Sequence, residues 1–138
     1  MAKITNIIPV NYLGAILVAP RIVCGKIADI ITAITEKGTK TQSTSIVTGV
    51  TLNTQSGTIT TVSLTTAPST VEGPFTVTNS KCFSDSVVLL TVQYGNGKTG
   101  FPVALVENIT AGSFKVRIMN VHTADSLNDI IKINFSII

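Results

Sequence analysis

The stretch from Ser86 to Ile138 is cut into four short apolar segments by glycine and Asx clusters, and this segmentation constrains the fold more than anything else in the chain. The segments are 86–94, 101–109, 113–121 and 130–138. They are separated by Gly95-Asn-Gly-Lys-Thr-Gly100, by Thr110-Ala-Gly112, and by a loop rich in Asp, Asn and Ser. Each is too short for a stable helix and is rich in β-branched residues, which is how strands read. Upstream, Ile46–Leu52 and Thr58–Leu64 flank Asn53-Thr-Gln-Ser-Gly57, which reads as a hairpin turn, and Phe75–Thr78 is a further short strand. Strands recurring at such spacing over residues 46–138 predict an all-β sandwich.

Alternation shows which faces are inward. In 113–121, Phe114, Val116 and Ile118 oppose Lys115, Arg117 and Met119. In 130–138, Ile131, Ile133, Phe135 and Ile137 oppose Lys132, Asn134, Ser136 and Ile138. Segment 86–94 differs, because Val87 and Leu89 lie on one face while Val88, Leu90, Val92 and Tyr94 lie on the other. A sandwich strand has one core face, so the second apolar face calls for a cover, most simply another subunit. Val88, Leu90, Val92 and Tyr94 are taken as the interface candidates, with the choice between Leu89 and Leu90 as the core-facing residue left open.

Residues 1–45 read as a separate unit: an arm, a short helix candidate and a linker, ahead of a head at 46–138. Pro9, Gly14, Pro20 and Gly25 interrupt the apolar residues of 1–26 and forbid one continuous helix. Ile27, Ile30, Ile31 and Ile34 follow helical spacing up to Gly38, although their β-branching leaves a strand open. Residues 39–46, rich in Thr, Ser and Gln, read as linker. Only 12% of residues are charged, against about 25% in ordinary soluble domains, so little of the surface is charged and protein is expected to cover much of it. The uncharged run from Ile4 to Pro20 falls short of the roughly 18 apolar residues of a spanning helix and is broken by proline and glycine, so no membrane is expected.

The net charge of +3 sits in the first 40 residues, where Lys3, Arg21, Lys26, Lys37 and Lys40 face Asp29 and Glu36. Five scattered cations with Tyr12 as the sole aromatic make a poor nucleic-acid surface. An arm that docks on protein fits better, with Ile7, Ile8, Val10, Ile16, Leu17, Val18 and Arg21 as its attachment candidates.

No catalytic, metal or cofactor motif emerges. Cys24 and Cys82 have no metal spacing and His122 is the only histidine. Whether the two cysteines bond is open. Asp125 and Asp129 sit in a turn-forming context, and Gly95-Asn-Gly97 reads as a tight turn rather than a phosphate cradle. An enzyme is not expected.

Residues 75–138 carry an ordered set of short patterns: Thr76-Val-Thr-Asn79, Ser86-Val-Val-Leu-Leu-Thr-Val92, Pro102-Val-Ala-Leu-Val106, Ala111-Gly-Ser-Phe-Lys-Val-Arg-Ile118 with Asn120, Leu127-Asn128, and Ile131-Lys-Ile-Asn-Phe135. Together they resemble the C-terminal β heads of viral and phage structural proteins, which are similar to tumour-necrosis-factor-like jelly rolls. The resemblance implies an antiparallel jelly-roll-like sandwich, a homotrimer, and a place on the virion surface after synthesis in the host cytoplasm. It implies a capsid decoration (cement) protein held on the major capsid protein or another virion protein. The alternative is the receptor-binding head of a fibre or spike, recognising a cell-surface glycan or protein through the turns at 53–57, 95–100 and 122–129.

Overall fold

A computed structural model of the protein describes residues 36–138. The arm residues Ile7, Ile8, Val10, Ile16, Leu17, Val18 and Arg21, Cys24, and nearly all of the helix candidate lie outside the described residues. Eight strands are present: β1 (Lys37–Thr41), β2 (Val50–Thr51), β3 (Ser56–Thr60), β4 (Phe75–Thr78), β5 (Val88–Gln93), β6 (Pro102–Thr110), β7 (Ser113–Asn120) and β8 (Lys132–Ile137). They form two four-stranded sheets, β1-β3-β8-β5 and β2-β4-β7-β6. The fold is all-β and sandwich-like, and the described residues contain no helix.

Successive strands from β1 to β6 alternate between the sheets, so every second strand returns in the same direction. Hence β1 pairs parallel with β3, and β2 parallel with β4, while the four remaining pairings are antiparallel. Only β6 and β7 are joined as a simple hairpin, through Gly112 at φ +84°. A bulge between Val106 and Asn108 sets Glu107 outside the ladder.

Two expectations fail. Residues 53–57 do not close a hairpin: β2 and β3 go to different sheets. Leu52 and Phe135 meet over Gly57, where an added Cβ would stand 2.7 Å from the Phe135 ring and 2.8 Å from Leu52. The turn thus serves to cross the sandwich, and the missing side chain makes room for the crossing. The second failure is the linker. Lys37–Thr41 is an edge strand paired along its whole length with β3, setting Thr39 beside Thr58 and Thr41 beside Thr60. Its side chains are nearly all exposed. An edge strand that covers little core carries no hydrophobic alternation, and lysine there discourages further strand addition.

The core lies between the sheets. Val77, Phe114, Val116 and Ile118 from one sheet meet Ile59, Ile133, Phe135 and Ile137 from the other, all buried. The rings of Phe114 and Phe135 pack tilted, with centroids 5.5 Å apart, a geometry that adds about 0.5–1.5 kcal/mol beyond area burial. Two buried asparagines fasten the ends. Asn79 Nδ2 donates to the Thr54 carbonyl at 2.8 Å, and its Oδ1 accepts from the Lys81 N–H at 2.9 Å. Asn120 ties five backbone groups at the opposite end.

Candidate interaction surfaces

Both outer faces of the sandwich carry apolar side chains. On the first sheet, Val87 and Ile138 exchange two backbone hydrogen bonds of 2.9 and 2.8 Å and so extend the β5–β8 ladder by one pair. Alternation then sets Val87, Leu89 and Ile138 on one outward corner. Val88, Leu90, Val92 and Tyr94 occupy the inner face, with Val88 in the core and the others packed partly against it. The interface candidates are therefore corrected: the outward apolar residues are Leu89 on β5 and Val87 just before it. The sequence pattern showed two apolar faces, but their assignment required the register of β5 against β8, Leu90 opposite Phe135 and Leu89 opposite Ser136.

Beyond that corner the same face is polar. Thr58 Oγ1 donates to Asn134 Oδ1 at 2.7 Å, and Asn134 Nδ2 donates to Thr91 Oγ1 at 3.3 Å. This row crosses three strands and leaves the apolar corner sharply bounded.

The outer face of the second sheet is segregated the same way. Val103 stands opposite Met119, and the Val121 N–H donates to the Phe101 carbonyl at 2.9 Å. Val71 bridges to Met119 from the preceding loop. Phe101, Val103, Leu105, Met119, Val121 and Val71 consequently share one region of surface. Phe101 is 63% and Leu105 50% exposed, comparable with Val87 at 54% and Leu89 at 53%. The largest apolar patch of a typical monomer, about 300–600 Å², is often functional. Arg117 bounds it, paired with Glu107 through bonds of 2.9 and 3.1 Å. The hydrogen bond to Arg117 holds the Glu107 carboxyl below its ordinary value.

The structure brings together two of the three turns considered for recognition. The Tyr94 hydroxyl lies 2.7 Å from the Thr99 carbonyl and 3.0 Å from Asn128 Oδ1, and accepts from the Asn128 N–H at 3.2 Å. Thr99 Oγ1 donates to the Ser126 carbonyl at 2.7 Å. Lys98 pairs with Asp129, and that contact lowers the Asp129 pKa and raises that of Lys98. Turns 95–100 and 122–129 are thus one unit. A shallow cleft of about 400 Å³ beside it is lined by Gln93, Tyr94, Asn96, Asp129, Ile130 and Lys132. Turn 53–57 is at the other end of the sandwich, next to residues 79–80 and Ile137, and shares no surface with this cleft.

Asn120 positions that loop end. Its Nδ2 lies 3.1 Å from the Thr66, 3.2 Å from the Ala67 and 2.8 Å from the Asp125 carbonyl oxygens. Its Oδ1 accepts from the N–H groups of Phe101 at 2.9 Å and His122 at 3.1 Å. Sequence reasoning noted Asn120 only as part of a pattern; a polar residue ending an apolar strand was the available signal. His122 Nδ1 accepts from the N–H groups of Asp125 at 2.8 Å and Ala124 at 3.2 Å, which is turn chemistry. Burial raises the Cys82 pKa. Among the described residues no three His, Cys, Asp or Glu side chains converge as a metal site would require. No family model, no curated protein and no solved structure matches the chain.

Proposed function

We propose that this chain is a non-enzymatic structural protein of a virus or phage: a homotrimeric decoration protein whose head self-associates and whose N-terminal arm attaches it to the capsid. The observation that carries the reading is the pair of bounded apolar patches on the outer faces of the sandwich, in a chain with 12% charged residues. Contiguous exposed apolar patches of this kind are often interaction surfaces. The arm carries Ile7, Ile8, Val10, Ile16, Leu17 and Val18 between prolines and glycines. Docking of such a segment on the major capsid protein draws its affinity from apolar burial and strand addition rather than charge.

The test is decoration of capsid particles by the full chain and by a variant lacking residues 1–26. The variant is expected to keep its β-type circular dichroism, since β1 begins at Lys37, and to lose attachment. Normal occupancy by the truncated head would defeat the arm as anchor. Attachment of the full chain is expected to weaken only modestly with salt, because apolar burial resists screening.

A second reading is favoured by one observation, the joining of turns 95–100 and 122–129 beside a polar cleft. In that reading the chain is a receptor-binding head and the cleft meets a cell-surface glycan or protein. Glycan-array binding abolished by Asn96→Ala together with Lys132→Ala would select it.

A further inference from the structure

We propose that Asn96–Gly97 is a site of spontaneous covalent modification: the Gly97 amide nitrogen attacks the Asn96 side chain, and the residue is converted to aspartate and isoaspartate. The proposal stands independently of the decoration and receptor readings, and it concerns the rim of the cleft beside turns 95–100 and 122–129.

Asn96-Gly97 is the only Asn-Gly pair in the sequence. It forms the middle of the turn that follows β5, where Gly97 takes φ +76°, a conformation that favours glycine. The same residue choice strips the attacking nitrogen of a neighbouring side chain, and even an added Cβ would meet nothing within 4 Å. The bonds that fix this end of the sandwich come from Tyr94 and Thr99, on either side of the pair. Among the described residues, none reaches the Asn96 amide or the Gly97 N–H. Electrophile and nucleophile are therefore adjacent, exposed and unheld. The other described asparagines differ. Asn53, Asn79, Asn120, Asn128 and Asn134 are engaged by hydrogen bonds. Asn108 is exposed like Asn96, but it sits within β6 opposite Lys115, and the β-branched Ile109 follows it.

The Gly97 nitrogen gives its proton to hydroxide and forms a bond to Asn96 Cγ. The Cγ–Nδ2 bond breaks, and the departing nitrogen takes a proton from water to leave as ammonia. A succinimide ring remains, which water then opens. Cleavage between the ring nitrogen and Cγ gives aspartate. Cleavage between the ring nitrogen and the main-chain carbonyl carbon gives isoaspartate, with the main chain rerouted through Cβ and Cγ. Nothing is oxidised or reduced. Either product adds one negative charge to the rim of the cleft of about 400 Å³ that Asn96 shares with Asp129 and Lys132. Asp129 is already matched by Lys98, which leaves Lys132 as the unmatched cation of that cleft. The charge of the cleft thus changes as the protein ages.

The experiment follows the full-length protein during storage in mildly alkaline buffer. Peptide mapping by mass spectrometry reads each asparagine, and methylation by an isoaspartate methyltransferase reads isoaspartate. Asn96 is expected to convert while Asn108 stays intact, with isoaspartate and aspartate both formed. Ion exchange should show a growing species one charge unit below the formal +3. Asn96→Gln, whose side chain would have to close a larger ring, should not form it. A synthetic peptide spanning residues 92–100 supplies the rate of the unheld pair. A hydrogen bond holding either group in the folded protein would slow ring closure by up to about tenfold, so the folded chain is expected to react within that factor of the peptide. A folded rate further below the peptide's would overturn the proposal, as would Asn108 converting as fast as Asn96. Aspartate forming with no isoaspartate would also overturn it, because that product pattern means direct attack by water without Gly97.

Discussion

Replacing Asn120 with alanine should be among the most damaging single changes to the head. Asn120 is fully buried, and its side chain engages two N–H groups and three carbonyl oxygens. A buried polar group left unsatisfied costs about 1–3 kcal/mol. Several of the five partners lie near the surface, so water will recover some of them. Taking two as lost gives a destabilisation of about 2–6 kcal/mol. For a domain of this size, each kcal/mol lowers the melting temperature by about 4–8 °C, so a fall of at least about 8 °C is expected by calorimetry. Asn120→Asp should be no better, because a carboxylate faces three carbonyl oxygens with no donor to offer. Thr78→Ala, at an exposed position on β4, serves as the neutral control. A loss below about 1 kcal/mol for Asn120→Ala would refute the view that this residue fastens the loop end.

Two further perturbations separate strain from packing and charge from burial. Gly97 and Gly100 have φ of +76° and +80°, but a Cβ on Gly97 meets nothing within 4 Å while one on Gly100 would stand 2.7 Å from Leu127; Gly97→Ala should cost about 1–2 kcal/mol from backbone conformation, and Gly100→Ala measurably more in the same urea titration. Lys98 holds the Asp129 pKa below its ordinary 3.8, so the stabilisation from this pair is present above that value and lost as pH falls through the lowered one. Asp129→Asn should therefore lower the melting temperature slightly at pH 7 and converge with the wild type in strong acid, whereas a difference that persists in acid would point to packing instead.

Much of the head was legible because its inner strands satisfy two local rules at once. Residues 114–118 and 131–137 alternate cleanly, and the structure buries the expected set. Phe75–Thr78 is a strand with the expected bounds. What failed depends on long-range pairing. Lys37–Thr41 is held by backbone bonds to β3 rather than by side-chain burial, so its composition carries no signal. Asn53–Gly57 has the chemistry of a hairpin turn, and only the pairing of β2 with β4 and of β3 with β1 and β8 shows that it crosses between sheets. The two-faced character of residues 86–94 was readable, but its inner face was not. Val88 and Leu90 are chemically equivalent to Val87 and Leu89, and only pairing with Ile137 and Phe135 decides which pair turns inward. The joining of turns 95–100 and 122–129 rests on the Tyr94 hydroxyl and Asn128, two ordinary residues whose separation in the chain hides their contact.

The claim that the outer faces of this head are covered by copies of itself is tested most directly by the mass of the full chain in solution. Multi-angle light scattering at micromolar concentration should give three times 14.5 kDa, and that mass should hold when salt is raised, because apolar burial resists screening. A single species at 14.5 kDa across that range would contradict the account.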